Sequence, residues 1–360
     1  MSAHAESSSA DRSPLGLASR RPLFSVLDLS PIPVGDTART ALKNSLDLAQ
    51  HAEKWGYHRY WVAEHHGIPG VASAATSVVI AHLAGGTSVM RVGSGGIMLP
   101  NHSPLVIAEQ FGTLESLFPG RIDLGIGRAP GGDRATAHAL RRHMGLSADS
   151  FSHDLLELQE YFGPVNPHRT VRAVPGEGLN LPIYLLGSST FSAELAARLG
   201  LPFAFASHFA PDLMGEALEI YRSRFEPSAS LEKPHVMIGV NVFAADSDAE
   251  ARRLFTTLQQ VFLNLVRGNP REIQPPRDEL DWNPAEEAHV RRMTRVSAVG
   301  DREGVRSQLE DLLAETGADE VIATAHIYDH QARLRSFEIA AEIFREIQQP
   351  KSVTNHESFP

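Results

Sequence analysis

The stretch RYWVAEHHGIPG, residues 59–70, runs from aromatic and apolar residues into a glutamate, two histidines and a segment containing glycine and proline. Aromatic and β-branched residues favour a strand, whereas glycine and proline favour the loop that follows it. The pattern predicts a strand over 59–65 that presents Glu64, His65 and His66 where the chain leaves the core. Polar residues also gather at strand ends for structural reasons alone, so the rest of the chain must decide whether this end is functional.

Similar short apolar runs recur along the chain, and each is followed by a segment with helical periodicity. This alternation is typical of βα units around a parallel sheet. Eight units in one chain predict an α/β fold, a (β/α)8 TIM barrel with loop insertions, and a doubly wound open sheet is the structural alternative. The eight predicted strands lie at 23–29, 59–65, 91–99, 121–127, 182–187, 202–207, 235–244 and 319–326.

The domain organisation follows from the same pattern. We expect a single barrel domain over 21–348, with insertions near 164–180 and 267–300 that are too long and rich in proline or glycine to be ordinary connections. Residues 1–20 are rich in serine, alanine and charge and lack the apolar core of a signal peptide. We predict a disordered leader there and a disordered tail over 349–360.

The composition of the 360 residues argues against several functions. The chain has 33 Lys and Arg against 43 Asp and Glu, a formal net charge of −10, and no basic run, which argues against nucleic acid as a partner. It has no stretch of roughly 20 apolar residues that could span a membrane. Cysteine is absent, which excludes thiolate metal sites and is compatible with a reducing compartment. We therefore expect a soluble, cytoplasmic protein.

In a TIM barrel the active site forms at the carboxyl ends of the strands, and the residues after each strand form the mouth. The segment GSSTFSAEL, residues 187–195, leads from a strand into a helix, and its hydroxyls and backbone N–H groups favour a phosphate site. Serine is also a common helix cap, so the segment alone leaves both readings open. The predicted mouth contains Asp28, Ser30, Glu64, His65, His66, Gly95, Gly96, Arg128, Ser188, Ser189, Ser207 and His208.

The glycines of VGSGGIML, residues 92–99, are unusual inside a strand. Glycine there indicates either close approach of a ligand to the backbone or a bulge in the barrel. The nearby GIGRAPGGD segment lacks the spacing of a dinucleotide-binding fingerprint, so it does not indicate NAD. At this stage Gly95 and Gly96 are candidates for lying beneath a flat group.

His65 and His66 do not suggest a metal centre. Neighbouring residues of a strand point in opposite directions, so one tetrahedral ion cannot easily take both histidines. A metal hydrolase that uses His102, His208 or His326 remains the alternative. We predict no metal and a simpler role for His65 as a general base, because imidazole titrates close to neutral pH.

Three segments together resemble the bacterial luciferase-like flavin-dependent monooxygenases: YWVAEHHG (60–67), VGSGGIMLPNHSPLVIAEQFGTLESLFPGRIDLGIGRAPG (92–131) and AELAARLGLPFAFASHF (193–209). The similarity runs from about residue 22 to residue 346. It implies a barrel that binds reduced FMN, delivered by a separate flavin reductase, and uses O₂ to oxygenate a small organic substrate through a C4a-peroxyflavin. Members pair through their second and third helices, so the resemblance also implies a homodimer.

The resemblance assigns roles to individual residues. His65 matches the family's catalytic histidine, with Glu64 beside it, and Arg128 matches the arginine that contacts the FMN phosphate. Ser188, Ser189 and Ser192 lie in the segment that wraps this phosphate. Gly95 and Gly96 match the segment under the flavin ring, where the family carries a cis peptide bond that does not involve proline. Ser207 completes the predicted cofactor-binding set.

The sequence also departs from the family pattern. Light-emitting members carry a reactive cysteine just before the arginine, and this chain has Gly127 there. Neither light emission nor aldehyde specificity therefore follows from the resemblance. Two other functions stay open, a dehydrogenase that uses the deazaflavin F420 and a flavin-binding protein without catalytic activity.

Overall fold

The computed structural model describes residues 21–129, 134–140 and 148–349. The predicted leader and all of the predicted tail except Gln349 lie outside these residues. The strands are β1 (Leu23–Asp28), β2 (Arg59–Val62), β3 (Arg91–Met98), β4 (Ile122–Gly127), β5 (Ile183–Gly187), β6 (Phe203–Phe205), β7 (Val236–Ala244), β8 (Ser297–Gly300) and β9 (Glu320–Thr324).

Helices follow nearly every strand. They are α1 (Ala38–Trp55), α2 (Thr76–Gly86), α3 (Pro104–Leu117), α4 (Arg134–Leu140), α5 (Ala148–Phe162), α6 (Thr190–Arg198), α7 (Met214–Ser223), α8 (Asp248–Val266), α9 (Pro284–Met293), α10 (Arg302–Thr316) and α11 (His330–Ile347). In the parts of the chain given above, no helix is both long and apolar enough to cross a membrane.

The parallel sheet closes on itself. Its strands follow the order β6, β5, β4, β3, β2, β1, β9, β7, and β6 also pairs with β7, for example Ala204 opposite Met237. The result is an eight-stranded (β/α)8 barrel, and the predicted TIM-barrel fold is confirmed. Each of the eight predicted strands corresponds to one barrel strand.

Alternation along the strands separates the barrel interior from the layer beneath the helices. Successive side chains of a strand point to opposite faces, so every second residue faces inward. Trp61 on β2 and Tyr184 on β5, for instance, meet edge to face inside the barrel with ring centroids 5.0 Å apart. The small interior cluster contains Leu27, Trp61, Ala63, Tyr184, Ala204, Met237 and Ile322.

The base of the barrel, at the amino ends of the strands, is filled by a buried ionic network. Arg59 donates from Nε to Glu320 Oε1 at 2.8 Å, and from Nη1 to Asp123 Oδ2 at 2.7 Å and to the Tyr184 hydroxyl at 2.8 Å. Burial opposes ionisation of Glu320, but Arg59, together with hydrogen bonds from His235 and Ser25, lowers its pKa to about 2. The network closes the base of the barrel.

Two differences from the sequence prediction concern element bounds. β2 ends at Val62, three residues before the predicted end, although the Ala63 N–H still bonds to the Asp28 carbonyl oxygen at 2.9 Å. The insertion predicted over 267–300 contains α9 and β8, which pairs with the end of β7. No strand was predicted there, because the proline-rich composition hides the short SAVG run.

The outer edge of β8 is occupied by a side chain. The Val299 N–H donates to Gln308 Oε1 at 3.2 Å, and Gln308 Nε2 donates to the Val299 carbonyl oxygen at 3.0 Å. Gln308 belongs to α10, which follows β8 directly. One amide side chain therefore takes the place of a neighbouring strand.

Candidate active site

Three histidines lie at the mouth of the barrel. His65 follows β2, His208 follows β6 and His326 follows β9. His65 is near enough to the other two for its charge to affect both of their pKa values. Counting every second residue from the interior positions Trp61 and Ile322 reaches His65 and His326, so both lie on the inward side of their strands.

Glu64 connects the end of β2 to the segment after β3. It is buried, and its carboxylate accepts hydrogen bonds from His66 Nε2 at 2.6 Å, His102 Nε2 at 2.8 Å and the Met98 N–H at 3.0 Å. Burial opposes ionisation, but these bonds, led by that from His102, lower the pKa of Glu64. The carboxylate thus holds His66 and His102, and its contribution to His65 is to anchor the backbone beside it.

His208 lies against the bare backbone of β7. A Cβ at position 239 would overlap the Nδ1 atom of His208, so only glycine leaves room for the ring. Burial, with His326 and His65 nearby, lowers the pKa of His208 to about 3, which keeps the ring neutral at physiological pH. Its Nδ1 atom is buried and has no hydrogen-bond partner among the residues described.

His326 is the second neutral imidazole. Burial lowers its pKa to about 4, with further contributions from Arg333 and His65 that outweigh the opposing charge of Asp28. Arg333 itself is buried and donates from Nη2 to Asp28 Oδ1 at 2.7 Å. The Nδ1 atom of His326 is also buried without a partner in the described part of the chain.

The wall formed by β3 and β4 carries glycine instead of side chains. The peptide bond between Gly95 and Gly96 is cis, as the sequence resemblance predicted. A Cβ at Gly95 would come within 2.6 Å of Leu27 Cδ1 and 3.0 Å of the Trp61 Cβ, so the backbone packs directly on the interior cluster. At Gly127 the space is open, since the nearest atom to an added Cβ is the Ile97 carbonyl oxygen at 4.0 Å.

Arg128 and the start of α6 lie after neighbouring strands, β4 and β5. The guanidinium carbon of Arg128 lies 4.4 Å from the centre of the Phe191 ring, and no carboxylate among the described residues pairs with it. Ser189 is the N-cap residue of α6, but its side chain makes no capping bond. Uncapped N–H groups beside an arginine form a suitable anion site.

Ser188, Ser189 and Ser192 are held at this turn by a close approach of strand and helix. Ser188 and Ser189 are half-buried, whereas Ser192 is buried. A Cβ at Gly187 would overlap the Ser192 side chain, so glycine lets α6 begin directly against the end of β5. Ser207 is placed differently: it is fully buried, and its hydroxyl donates to the Gly239 carbonyl oxygen at 2.7 Å. That hydroxyl ties β6 to β7, and it can serve a cofactor only as an acceptor.

Comparison with known proteins decides the family. The sequence model described as luciferase-like monooxygenase matches residues 23–320. The chain belongs to the luciferase-like monooxygenase family. A protein of Escherichia coli K12 named luciferase-like monooxygenase is 56% identical over 326 residues, which cover 90% of this chain and 97% of that relative.

Solved structures of similar proteins agree with the barrel. The crystal structure of apo-MsnO8 has a TM-score of 0.84 at 37% identity and covers 92% of this chain and 100% of its own. The oxygenating constituent of 3,6-diketocamphane monooxygenase from Pseudomonas putida, a type II Baeyer–Villiger monooxygenase solved with FMN, has a TM-score of 0.69 at 18% identity. It covers 92% of this chain and 100% of its own. At that identity the likeness shows the fold alone.

The described residues of this family member also contain two clusters of potential metal ligands and a cavity. The ligand atoms of Glu64, His66 and His102 lie within 4.8 Å of one another and could hold a metal ion, as could those of His153, Asp154 and Glu157. In the first group, both histidines are already hydrogen-bonded to the carboxylate. A cavity of about 860 Å³ lies between α8, α9 and β8. Four of its arginines are paired with carboxylates: Arg252 with Asp248, Arg253 with Asp278, Arg291 with Glu287, and Arg295 with Asp212.

Sequence reasoning placed His208 with His65 at the predicted mouth, whereas it named His326 only as an alternative metal ligand. Counting alternate residues from the buried strand residues would have identified His65 and His326 as inward-facing. His208 could not be found in this way, because it follows β6 through a turn and reaches the interior only where Gly239 leaves space. The mouth of this luciferase-like monooxygenase family member therefore contains a run of glycines, an arginine beside the uncapped start of α6, and three histidines.

Proposed function

We propose that the protein is a monooxygenase that uses reduced FMN and O₂ to oxygenate a small organic substrate. The observation that carries this proposal is Arg128 beside the uncapped start of α6, at the same mouth as Gly95, Gly96 and His65. Family membership supports the monooxygenase class. The residues at the mouth support the choice of a phosphorylated flat cofactor.

The phosphate would be held by Arg128 and the turn over Ser188–Ser192. Arg128 has no carboxylate partner among the described residues, so its charge is available to an anion. Stacking on Phe191 restricts the guanidinium before the ligand arrives, which reduces the conformational entropy lost on binding. The backbone N–H groups at the start of α6 add donors that a phosphate can accept without a further charged residue.

The flat part of the cofactor fits against the glycine wall. Glycine at 127 leaves open space beside the backbone, whereas an added Cβ at Gly95 or Gly96 would meet Leu27 or the Gly125 backbone, so glycine there keeps the wall close-packed and free of side chains. Reduced FMN, when bound, would supply the electrons with which O₂ is activated. The chain's own contribution is to exclude water from the barrel mouth, to fix the position of the ring and to manage protons beside it.

We assign proton transfer to His65. Glu64 fixes the neighbouring backbone through Met98 and His102, so the position of His65 is set by a buried anchor. An imidazole takes or gives a proton near neutral pH with little cost in driving force. His66 is engaged with Glu64, which favours a structural role for it.

The test compares His65→Ala with His66→Ala in a reaction with FMN, a flavin reductase and measured O₂ consumption coupled to substrate oxidation. We expect turnover to fall by on the order of a hundred-fold in His65→Ala, with FMN affinity nearly unchanged. The His66→Ala variant is the matched control, because it removes the adjacent imidazole. Loss of turnover only in His66→Ala would reassign the base, and full activity in both variants would make the motif structural.

Titration with F420 in parallel separates the cofactor alternatives. Binding of F420 with no binding of FMN would favour an F420-dependent dehydrogenase. FMN binding without O₂ consumption for any substrate would favour the non-catalytic flavin-binding protein. We expect FMN binding that depends on Arg128.

Partners are part of the proposal. A separate flavin reductase would deliver the reduced cofactor, and a second copy of the chain would cover α2 and α3. Val78 on α2 is 68% exposed and Leu117 on α3 is 63% exposed. Large apolar side chains exposed on neighbouring helices are typical of a surface that contacts another protein. A homodimer by isologous contact would bury both. Sedimentation at micromolar concentration tests this, and a monomer throughout would contradict it.

A further inference from the structure

The cavity between α8, α9 and β8 is lined by side chains that the proposed chemistry does not use. Its volume of about 860 Å³ is within the range typical of small-molecule sites. It lies outside the barrel interior, because β8 pairs with the end of β7 and is not one of the eight barrel strands. The charged residues that line it are Arg252, Arg253, Arg277, Asp278, Arg291 and Arg295.

This lining is basic although the protein as a whole is acidic. Five arginines and one carboxylate line the cavity, whereas the chain has a formal net charge of −10. Charges of one sign that are held together repel each other, and a cleft lined by them attracts counter-ions. The composition of the lining therefore favours an anion as the occupant.

The carboxylates that pair with the arginines do not block this role. Arg253 donates from Nε to Asp278 Oδ1 at 3.1 Å, and the side chain of Asp278 is 87% exposed. A guanidinium has several N–H donors, and ion pairs exposed to water contribute little to stability. A ligand can therefore use the remaining donors of Arg253 or displace its carboxylate at little cost.

Arg277 is the clearest donor without a counter-ion. It is exposed, and its side chain pairs with no carboxylate within the described ranges. Its backbone is fixed, because the Arg277 N–H donates to Thr256 Oγ1 at 2.9 Å, while that hydroxyl donates to the Arg253 carbonyl oxygen at 2.7 Å. One hydroxyl of α8 thus holds the backbones of two arginines, and Asp278 is the carboxylate that they have in the lining.

The positions of the arginines indicate an extended anion. Arg252 and Arg253 lie on α8, Arg277 lies in the segment that follows it, and Arg291 lies at the end of α9. A singly charged ion can pair with one guanidinium, whereas a diphosphate has oxygens for several of them in the planar geometry that arginine favours.

The shape of the site indicates a small molecule. Phe255 also lines the cavity, and its ring offers an apolar surface to the organic part of a ligand. Stable interfaces between proteins are larger surfaces than a cavity of this volume provides. A small organic diphosphate therefore fits the cavity better than a segment of another protein.

We propose that this cavity binds a small molecule with a diphosphate group, held by Arg253 and Arg277 together with the other arginines of the lining. The site goes beyond the proposed function and does not depend on it, because the FMN phosphate is assigned to Arg128. Inorganic pyrophosphate and a nucleoside diphosphate share the chemistry that the arginines recognise. The Phe255 ring favours the nucleotide.

Isothermal titration calorimetry with inorganic pyrophosphate tests the site, in the presence of excess FMN and without divalent cations. We expect Arg277→Gln to weaken binding roughly three- to ten-fold, because one charge-assisted contact is lost. Asp278→Asn should tighten binding about two- to five-fold, because it removes the carboxylate of the lining and frees Arg253. Neighbouring changes with opposite effects indicate an anion bound at this place.

Matched controls remove surface charges elsewhere. Arg39→Gln on α1 removes an exposed arginine, and Glu232→Gln before β7 removes an exposed carboxylate. Neither should change the affinity for pyrophosphate, and circular dichroism with unfolding curves establishes that every variant is folded. Equal effects in the controls would mean that only the net charge of the protein matters, which would overturn the inference. Absence of binding at millimolar pyrophosphate would also overturn it.

Further probes identify the source of the diphosphate. Tighter binding of ADP than of pyrophosphate, with the same dependence on Arg277, indicates a nucleotide, and equal affinity indicates the inorganic ion. Adenosine that binds as tightly as ADP would overturn the inference, because the diphosphate would then contribute nothing. Tighter binding of hexaglutamate than of either phosphate probe would also overturn it, in favour of an acidic protein segment.

Failure of the proposed function would look different. If FMN does not bind, pyrophosphate titrated into Arg128→Ala still reports on the cavity, since the anion site at the mouth has lost its arginine. If pyrophosphate binding is lost in Arg128→Ala and kept in Arg277→Gln, the anion lies at the mouth. The phosphate assignment of the proposed function then stands, and the diphosphate site in the cavity fails.

Discussion

The two ends of the barrel interior treat buried polar groups in opposite ways. At the base, Arg59 bonds to Glu320, Asp123 and Tyr184 at 2.7–2.8 Å, and the charges satisfy one another. At the mouth, the Nδ1 atoms of His208 and His326 are buried without partners in the described structure. The same strands therefore carry a self-sufficient polar layer at one end and an incomplete one at the other.

The difference separates stability from binding. A closed ionic network fixes the strands at the base but has no hydrogen-bonding capacity left for a ligand. An incomplete polar layer weakens the folded state and leaves donors and acceptors that a ligand can use. Polar residues at the base should therefore affect unfolding, and those at the mouth should affect binding.

The largest effect is expected for Arg59→Met at the base. The change keeps an unbranched chain but leaves Asp123 and Glu320 buried without their shared cation, so unfolding free energy should fall by about 3–5 kcal/mol. Denaturant unfolding measures the loss. Arg335→Met is the control, because Arg335 pairs with Asp246 and Glu338 at the surface and should cost about 0–1 kcal/mol. Equal effects of the two variants would remove the contrast between base and surface.

Arg128→Ala should act on the mouth alone. Loss of one charge-assisted contact should weaken FMN binding by about 1.5–3 kcal/mol, roughly ten-fold to more than a hundred-fold in Kd. Unfolding without ligand should change little, since Arg128 is half-buried and, among the described residues, it contacts Phe191 and pairs with no carboxylate. Arg128→Lys keeps the charge but loses the planar guanidinium, so its FMN affinity should lie between those of the wild type and Arg128→Ala. Unchanged FMN affinity in Arg128→Ala would reject the phosphate assignment.

The pH dependence of stability gives a third contrast. Burial lowers the pKa of His208 to about 3 and of His326 to about 4, whereas unfolded imidazoles gain a proton below about pH 6.5. The unfolded chain then binds more protons, so stability falls as pH drops from 6.5, by at most about 1.4 kcal/mol per pH unit for each ring. The pKa of Glu320 is lowered to about 2 from 4.5, so its contribution is lost only below pH 4.5.

Unfolding curves between pH 6.5 and 4.5 therefore include the mouth histidines, together with His58 and His330, whose pKa values burial also lowers. Curves below pH 4.5 add the carboxylate of Glu320 at the base. In His208→Phe the slope in the upper window should be shallower than in the wild type. Identical slopes for the two proteins would mean that His208 is not held neutral by the fold.

The smallest effect is expected for Ser207→Ala, at the mouth, after the carboxyl end of β6. It removes the hydrogen bond to the Gly239 carbonyl oxygen, and the loss should be about 1 kcal/mol of unfolding free energy. Comparison of FMN affinity in the same variant shows whether the hydroxyl also serves the cofactor. A fall in affinity without a fall in stability would place Ser207 in the binding set rather than in the barrel wall.

The barrel was predictable because each of its strands can be recognised from its own short stretch of sequence. The β-branched and aromatic runs, the glycines and the helical segments specify eight βα units, and the GSGG segment together with the family resemblance indicated the cis peptide. The ionic network was not predictable, because Arg59 meets Glu320 across 261 residues and Asp123 across 64. Such pairings depend on how the barrel closes and on strand register, and neither can be predicted from a short stretch of sequence.

The site was predicted in part for the same reason. Arg128 and the 188–192 turn follow neighbouring strands and carry recognisable residue types, so their association could be expected. The partners of Glu64 could not, since its contact with His102 depends on the turn after β3. The position of the His208 ring depends on the absence of a side chain at Gly239. The sequence has 28 glycines, and nothing in it indicates which of them leaves space for a histidine.

The amide of Gln308 has a consequence for association between copies of the chain. A closed barrel has no free edge, but β8 lengthens the sheet beyond the barrel and creates one. Exposed edges invite pairing with strands of other molecules and are a common start of aggregation. Gln308 already occupies both backbone groups of Val299, as a peptide group of another strand would. The insertion can therefore extend the sheet without offering that edge to a second molecule.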